Sequence, residues 1–234
     1  MKKAILFDFD GTLADTFEAL VNITNRLAEE YGYPQVNQSE INQLQNLSSW
    51  QIIKKSGISI FQIPLLLRRI RSELHNQLED IETFPGIKEA LLQLKSQGYF
   101  LYILTSNSTE NVNIFMQKNH ILDLFSGVYS SSNLFGKHRK IKAILKQEKI
   151  KPYQAIYIGD ETRDIVAAKK ANIKAIAVSW GFNNSEILSR YNPDALIHSP
   201  SQLTAAVQEQ LVEKEKSKSK LTPFPKLIFN SLRD

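Results

Sequence analysis

The chain has 234 residues, 42% of them hydrophobic and 23% charged, the proportions of a folded globular protein and not of a disordered or collagen-like one. It contains no cysteine, which excludes a disulfide framework, a thiolate nucleophile and any Cys-held zinc or iron–sulfur site. Its net charge of +5 leans on one end: residues 213–234 carry six Lys/Arg against three acids, the remaining 212 residues 23 against 21, so no basic nucleic-acid face is expected.

Residues 4–9 form a near-continuous apolar run that predicts a buried strand. Residues 17–31 follow as an amphipathic helix with Phe17, Leu20, Val21, Thr24, Leu27 and Ala28 on one side. A second helix starts at Ser39, and residues 49–55 and 64–78 predict a third and a fourth. No strand signal returns before Phe84-Pro85-Gly86, so residues 15–83 are expected to be a helical insert, a lid over the end of the first strand. Strands and helices then alternate. Helices are predicted over 87–97, 110–119, 139–147 and 163–171, and strands over 100–104, 128–129, 155–158, 175–178 and 195–197. This alternation implies an α/β fold with a parallel sheet, its core formed by residues 1–14 and 84–212. Residues 213–234 read as a charged, then apolar and proline-broken tail that docks on the body or is disordered.

The chemistry-bearing residues gather at strand ends. Asp8 and Asp10 close the first strand in Phe7-Asp8-Phe9-Asp10-Gly11-Thr12, where burying carboxylates is costly without a cation or hydrogen bonds. Gly11 permits a sharp turn that leaves both acids facing one cavity. The second strand ends in Thr105-Ser106-Asn107-Ser108, hydroxyl and amide donors before a helix, suited both to capping it and to binding phosphate. Gly136-Lys137-His138-Arg139-Lys140 opens the next helix with a positive cluster, and Lys137 and Lys140 both stay open as a partner for an aspartate and a phosphate. A later strand ends in Gly159-Asp160-Glu161-Thr162-Arg163-Asp164. Oxygen ligands without His or Cys suit Mg²⁺.

These motifs together resemble the haloacid dehalogenase superfamily, in particular its phosphoglycolate phosphatase-like branch with a small helical cap, over about residues 1–200. The resemblance implies a Rossmann-like core with the cap inserted after the first strand. It implies an Mg²⁺-dependent phosphatase acting through an aspartyl-phosphate, with Asp8 as nucleophile and Asp10 as general acid and then base. The metal would be held by Asp8, the main-chain carbonyl of Asp10, and Asp160, with Glu161 and Asp164 supporting that shell. Ser106, the amide of Asn107 and Lys137 would hold the phosphoryl oxygens. Asp10 speaks against the dehalogenating branch, since halide leaves without a proton. A phosphomutase shares the same acids and stays open, as does a non-catalytic binding protein that kept the fold. The Pro-x-Pro stretch that often follows the family's lysine is absent after Lys137.

Specificity is expected in the cap. Ser49 and Trp50 lie between cap helices and could reach the leaving group, with Trp50 read first as a cap-core aromatic and second as a substrate wall. Arg68, Arg69, Arg71 and His75 read as a solvated helix face, with recognition of an acidic substrate as the second reading. The expected partner is a small phosphorylated metabolite. Neither nucleic acid nor membrane is expected, and the chain reads as a monomer or weak homodimer. No run approaches 18 apolar residues, and the apolar stretch after Met1-Lys2-Lys3 is broken by Asp8 and Asp10, so neither a membrane span nor a signal peptide is predicted. The expected location is cytoplasmic.

Overall fold

The computed structural model describes residues 2–131 and 136–219, the last eight of these for the backbone alone. Strand β1 (Ala4–Phe7) is followed by four helices, α1 (Phe17–Tyr31), α2 (Gln38–Leu44), α3 (Ser49–Ser56) and α4 (Ile63–His75). Strands and helices then alternate: α5 (Ile87–Ser96), β2 (Phe100–Thr105), α6 (Thr109–Lys118), β3 (Phe125–Ser130), α7 (Lys137–Gln147), β4 (Ala155–Gly159) and α8 (Thr162–Lys170). The order closes with β5 (Lys174–Val178), α9 (Ser185–Arg190), β6 (Ala195–Ile197) and α10 (Leu203–Ser219).

Among the described residues six strands make one sheet in the order β3-β2-β1-β4-β5-β6, with every neighbouring pair parallel. All four residues of β1 are fully buried because both faces of the sheet are covered. Ile5 and Phe7 pack with the apolar sides of α5, α6 and α10, whereas Ala4 and Leu6 pack with those of α7 and α8. Such a strand has no wet face, so its sequence runs apolar without alternation. This is the α/β architecture that the strand and helix signals imply, and the Rossmann-like core that the family resemblance implies.

The strand order reverses at β1, where Phe7 stands in register with Ile103 of β2 on one side and Ile158 of β4 on the other. In open α/β sheets the crevice for ligands lies beyond the strand ends at this switch point. β1 stops at Phe7, two residues earlier than its apolar run suggests. The Asp8 N–H still reaches the Ile158 carbonyl at 2.8 Å, but the N–H groups of Thr12, Leu13 and Ala14 all turn back onto the Phe9 carbonyl. β3 is longer than residues 128–129, since at a sheet edge backbone pairing extends back to Gly127 and, past a register shift at Ser126, to Phe125. The short α9 has no counterpart among the predicted helices. Six residues show little periodicity, and its start is marked by the Asn184 side chain accepting the Ile187 N–H at 3.1 Å.

The four cap helices form where expected. α2 opens with Asn37 and Glu40 bonding each other's backbone N–H groups, and α3 opens in the same way with Ser48 and Gln51. α1 packs on α4, yet only Leu27 and Ala28 of its expected face are buried, together with Ile23. Phe17, Leu20, Val21 and Thr24 instead line a largely apolar cavity of about 380 Å³ among the cap helices. The two linkers between insert and sheet run side by side: Ala14 bridges Thr83, Asp15 N–H donates to the Glu82 carbonyl at 3.0 Å, and Phe84 N–H donates to the Leu13 carbonyl at 3.3 Å. Residues 213–219 continue α10, and the remainder of the expected tail, 220–234, lies outside the described residues. No helix among the described residues is long and apolar enough to cross a membrane.

Candidate active site

The ends of β1 and β4 deliver Asp8 and Asp160 to one crevice, and the first turn of α8 adds Asp164. One carboxylate oxygen from each of the three lies within 4.8 Å of the others, and all three side chains are buried. Asp8 is held by its neighbour's backbone, the Phe9 N–H donating to its Oδ1 at 2.8 Å. Asp160 accepts the Thr12 hydroxyl at 2.6 Å and the Phe182 N–H at 2.7 Å. The turn has no room for a side chain at Gly11, which sits at φ +74°, where a Cβ would overlap both the Asp160 carboxylate and the Phe182 ring. A Cβ at Gly181 would meet the Gly11 carbonyl and the same carboxylate, so both glycines let backbone close around Asp160.

Lys137, 3% exposed, donates to Asp8 Oδ2 at 2.7 Å and to Asp164 Oδ1 at 2.6 Å. The two lysines lie differently: α7 begins at Lys137, two residues before the predicted start, and points it inward, whereas Lys140 lies over the Tyr129 ring, 5.9 Å from its centroid. Burial works against a charged Lys137, yet the Asp164 and Asp8 carboxylates outweigh it and raise its pKa. With all three ionised, the carboxylates facing one ammonium would leave the cluster two negative charges in excess. Burial first, and then the neighbouring acids Glu161, Asp8 and Asp164, push Asp160 well above the usual carboxylate range. Asp164 is pushed up to about 7, with burial outweighing the pull of Lys137. A divalent cation would remove that excess, and oxygen-only donors suit a hard one. The residues present fit such an ion.

Asp10 stands apart from this trio. Its carboxylate accepts both contacts of the Asn107 side-chain amide, at 3.1 and 3.2 Å. Burial, and then the Asp8 charge, push its carboxyl up to about 7, against the Asn107 hydrogen bonds. The second strand end differs from expectation in one respect. The Asn107 backbone N–H, expected as a phosphate donor, is committed to Thr105 Oγ1 at 2.9 Å, because the chain tightens there before α6. Ser106 is half-buried at this rim, and its hydroxyl has no hydrogen-bond partner among the described residues. Ser108 caps α6 by accepting the Asn111 N–H.

The cap reaches the crevice at two places. Ser49 donates to Glu161, whose other oxygen pairs with Arg163. Burial raises Glu161, but the Arg163 charge and the hydrogen bonds of Arg163 and Ser49 outweigh it and leave the carboxyl below its ordinary value. Trp50 is 51% exposed, so it is not the cap-core aromatic its residue type suggests; it lines a 250 Å³ cavity with Lys137, His138 and Arg163. Buried Asn183 ties core to cap by donating to the Gln45 and Leu47 carbonyls at 3.2 and 2.9 Å and accepting the Thr162 N–H at 3.0 Å.

On α4 the expected solvated face is split. Arg68 and Arg69 are exposed, but Arg71 turns inward with a buried Nη2. His75 bonds Asn111 Oδ1 at 2.9 Å. Sequence reading passed over Thr12, Arg163 and Asn183 as site residues. Thr12 lies inside the acidic motif and could have been found there. Asn183 carries no local signal, because its partners lie some 136 to 138 residues away.

The haloacid dehalogenase-like hydrolase family matches residues 5–178 of this chain. The phosphoglycolate phosphatase of Synechococcus elongatus is 38% identical over 207 residues, covering 88% of this chain and 98% of that protein. A pyrophosphatase of Bacillus velezensis is 28% identical over 206 residues, covering 86% and 94%. A haloacid dehalogenase-like hydrolase from Streptococcus pneumoniae superposes with a TM-score of 0.70 at 29% identity, covering 88% and 99%. With the matched region spanning both the insert and the strand ends and helix starts that carry Asp8, Asp10, Lys137, Asp160 and Asp164, the chain belongs to the haloacid dehalogenase-like hydrolase family.

Proposed function

We propose that this haloacid dehalogenase-like phosphatase hydrolyses a small phosphate monoester by transferring the phosphoryl group to Asp8 and then to water. The observation that carries the reading is the Asp8 carboxylate, oriented by the Phe9 N–H and Lys137 and set beside two further buried acids with a charge excess of two. Asp8, Asp160 and Asp164 would hold the ion, which we propose is Mg²⁺, together with the Asp10 carbonyl that the family resemblance implies. When bound, such an ion offsets the repulsion between an anionic nucleophile and an anionic ester.

In the first half-reaction an Asp8 oxygen bonds to phosphorus as the ester P–O bond breaks, and Asp10 gives its proton to the leaving oxygen. In the second, Asp10 takes a proton from the water that attacks the same phosphorus, releasing phosphate and restoring Asp8. Asn107 keeps the Asp10 carboxyl directed at this space. The Ser106 hydroxyl and the Lys137 ammonium would donate to the phosphoryl oxygens over which the charge spreads. Glu161 supports the shell indirectly by clamping Arg163 and, through Ser49, the cap.

The paired linkers at Ala14 and Thr83 support a division into a core of residues 1–14 and 84–212 and a cap of 15–83. The names of the relatives favour phosphoglycolate or pyrophosphate among candidate substrates. Asp8→Asn should cut hydrolysis of an active ester by about 10³-fold or more while the circular dichroism spectrum is kept. Turnover at the wild-type rate in that variant would overturn the reading. Accumulation of free phosphate, rather than an isomerised sugar phosphate, separates hydrolysis from mutase action.

A further inference from the structure

Two arginine nitrogens near the crevice are buried without a hydrogen-bond partner, Nη1 of Arg163 and Nη2 of Arg71. A buried guanidinium N–H left unpaired is costly, more so than a neutral donor. The two sit differently. Arg163 is already ion-paired, with Glu161 at the start of α8, and Asp8, Asp164 and Asp10 all feel its charge. Arg71 makes no ion pair with a described residue, and the charge it feels is that of Asp10.

Hydrogen bonds fix where Arg71 stands. The Asn111 side-chain amide donates to the Arg71 carbonyl at 3.0 Å and to Asn107 Oδ1 at 3.1 Å, and Asn107 in turn donates to both oxygens of Asp10. The same Asn111 receives His75 of the next turn of α4. This turn of the cap is therefore held two side chains away from Asp10. In the reaction proposed above Asp10 faces the leaving oxygen, so a group beside Asp10 and away from Asp8 meets the leaving group and not the transferred phosphoryl.

We propose that Arg71 is the cap-borne receptor for a second anionic group, a carboxylate or a phosphate, carried by the leaving group of the substrate. This rests on the phosphatase reading and narrows it to short phosphate esters or anhydrides with two anionic ends. The planar guanidinium fork matches the paired oxygens of either group, and a substrate bringing them would satisfy the orphaned Nη2. An alcohol leaving group without charge would leave it unpaired.

The test compares 2-phosphoglycolate, inorganic pyrophosphate and ethyl phosphate as substrates of the full chain with Mg²⁺, in wild type, Arg71→Met and Arg71→Lys. The ratio of kcat/KM for the better substrate with two anionic groups to that for ethyl phosphate should fall about 10- to 100-fold in Arg71→Met, the weight of a charge-assisted hydrogen bond, and recover in part in Arg71→Lys. Which of the two substrates with a second anionic group loses its advantage tells carboxylate from phosphate. An unchanged ratio would overturn the proposal. Calorimetric titration with phosphonoacetate against ethylphosphonate reads the same preference without turnover. If wild type cleaves no ester but binds phosphonoacetate more tightly through Arg71, the reaction falls and the anion receptor stands. If wild type cleaves esters and Arg71→Met leaves both preferences in place, the receptor falls and the reaction stands.

Discussion

Lys137 has a double duty that its neighbours make testable. Its ammonium separates Asp8 from Asp164 in a space that is almost fully buried, so removing it leaves two carboxylates facing each other without compensation. Lys137→Met should lower the unfolding free energy by about 3–5 kcal/mol, the cost of breaking one side of a buried ion pair. Lys140→Met, which loses only a contact with the Tyr129 ring, should cost under about 1 kcal/mol. Urea denaturation of both variants checks this; equal costs would contradict the inward assignment of Lys137. From the sequence the two lysines could not be told apart, because the choice depends on where α7 begins and a shift of one residue turns a helix by about 100°. Asp8, Asp10 and Asp160 were legible because acids at the end of apolar strands stand out locally. Arg71 reads only as one of four residues with recognition of an acidic substrate as the second reading, because nothing local tells its buried nitrogen from the exposed Arg68 and Arg69.

The cap helices show the same divide between local and distant information. The periodicity of α1 predicts its apolar side, yet four of the six expected face residues border a cavity, since periodicity reports which side is dry and not how closely another helix approaches. Docking of the α2–α3 turn rests on Asn183, whose side chain bonds two cap carbonyls and the first N–H of α8, together with Asn184, whose N–H donates to the Gln45 carbonyl at 3.2 Å and whose side-chain amide donates to Asn46 Oδ1 at 2.7 Å. Asn183→Ala should cost about 1–3 kcal/mol by leaving these groups unpaired, and should expose residues 45–48 to limited proteolysis. Cleavage there at the wild-type rate would show that the cap is held elsewhere.

For the whole molecule, the sheet order explains why residues so far apart in the chain meet. β1 and β4 are neighbours at the point where the order reverses, and so residues 8 and 160 end side by side. The alternation of strands and helices makes the α/β class readable, but pairing order is carried by packing across the sheet and enters through the family resemblance. The charge excess at the site links metal to stability. Mg²⁺ at about a hundredfold its dissociation constant should add about 2.7 kcal/mol, a rise of about 5–11 °C in Tm for a chain of this size. Asp160→Asn should remove most of that rise, and identical Tm values with Mg²⁺ and with EDTA would contradict the site. The central claim is that Asp8 carries the phosphoryl group during turnover. Rapid acid quench followed by peptide mass spectrometry should find one added phosphoryl on the Asp8 peptide of wild type and none on Asp8→Asn; an unmodified Asp8 peptide in wild type quenched during steady turnover, or a phosphoryl group on another residue, would contradict it.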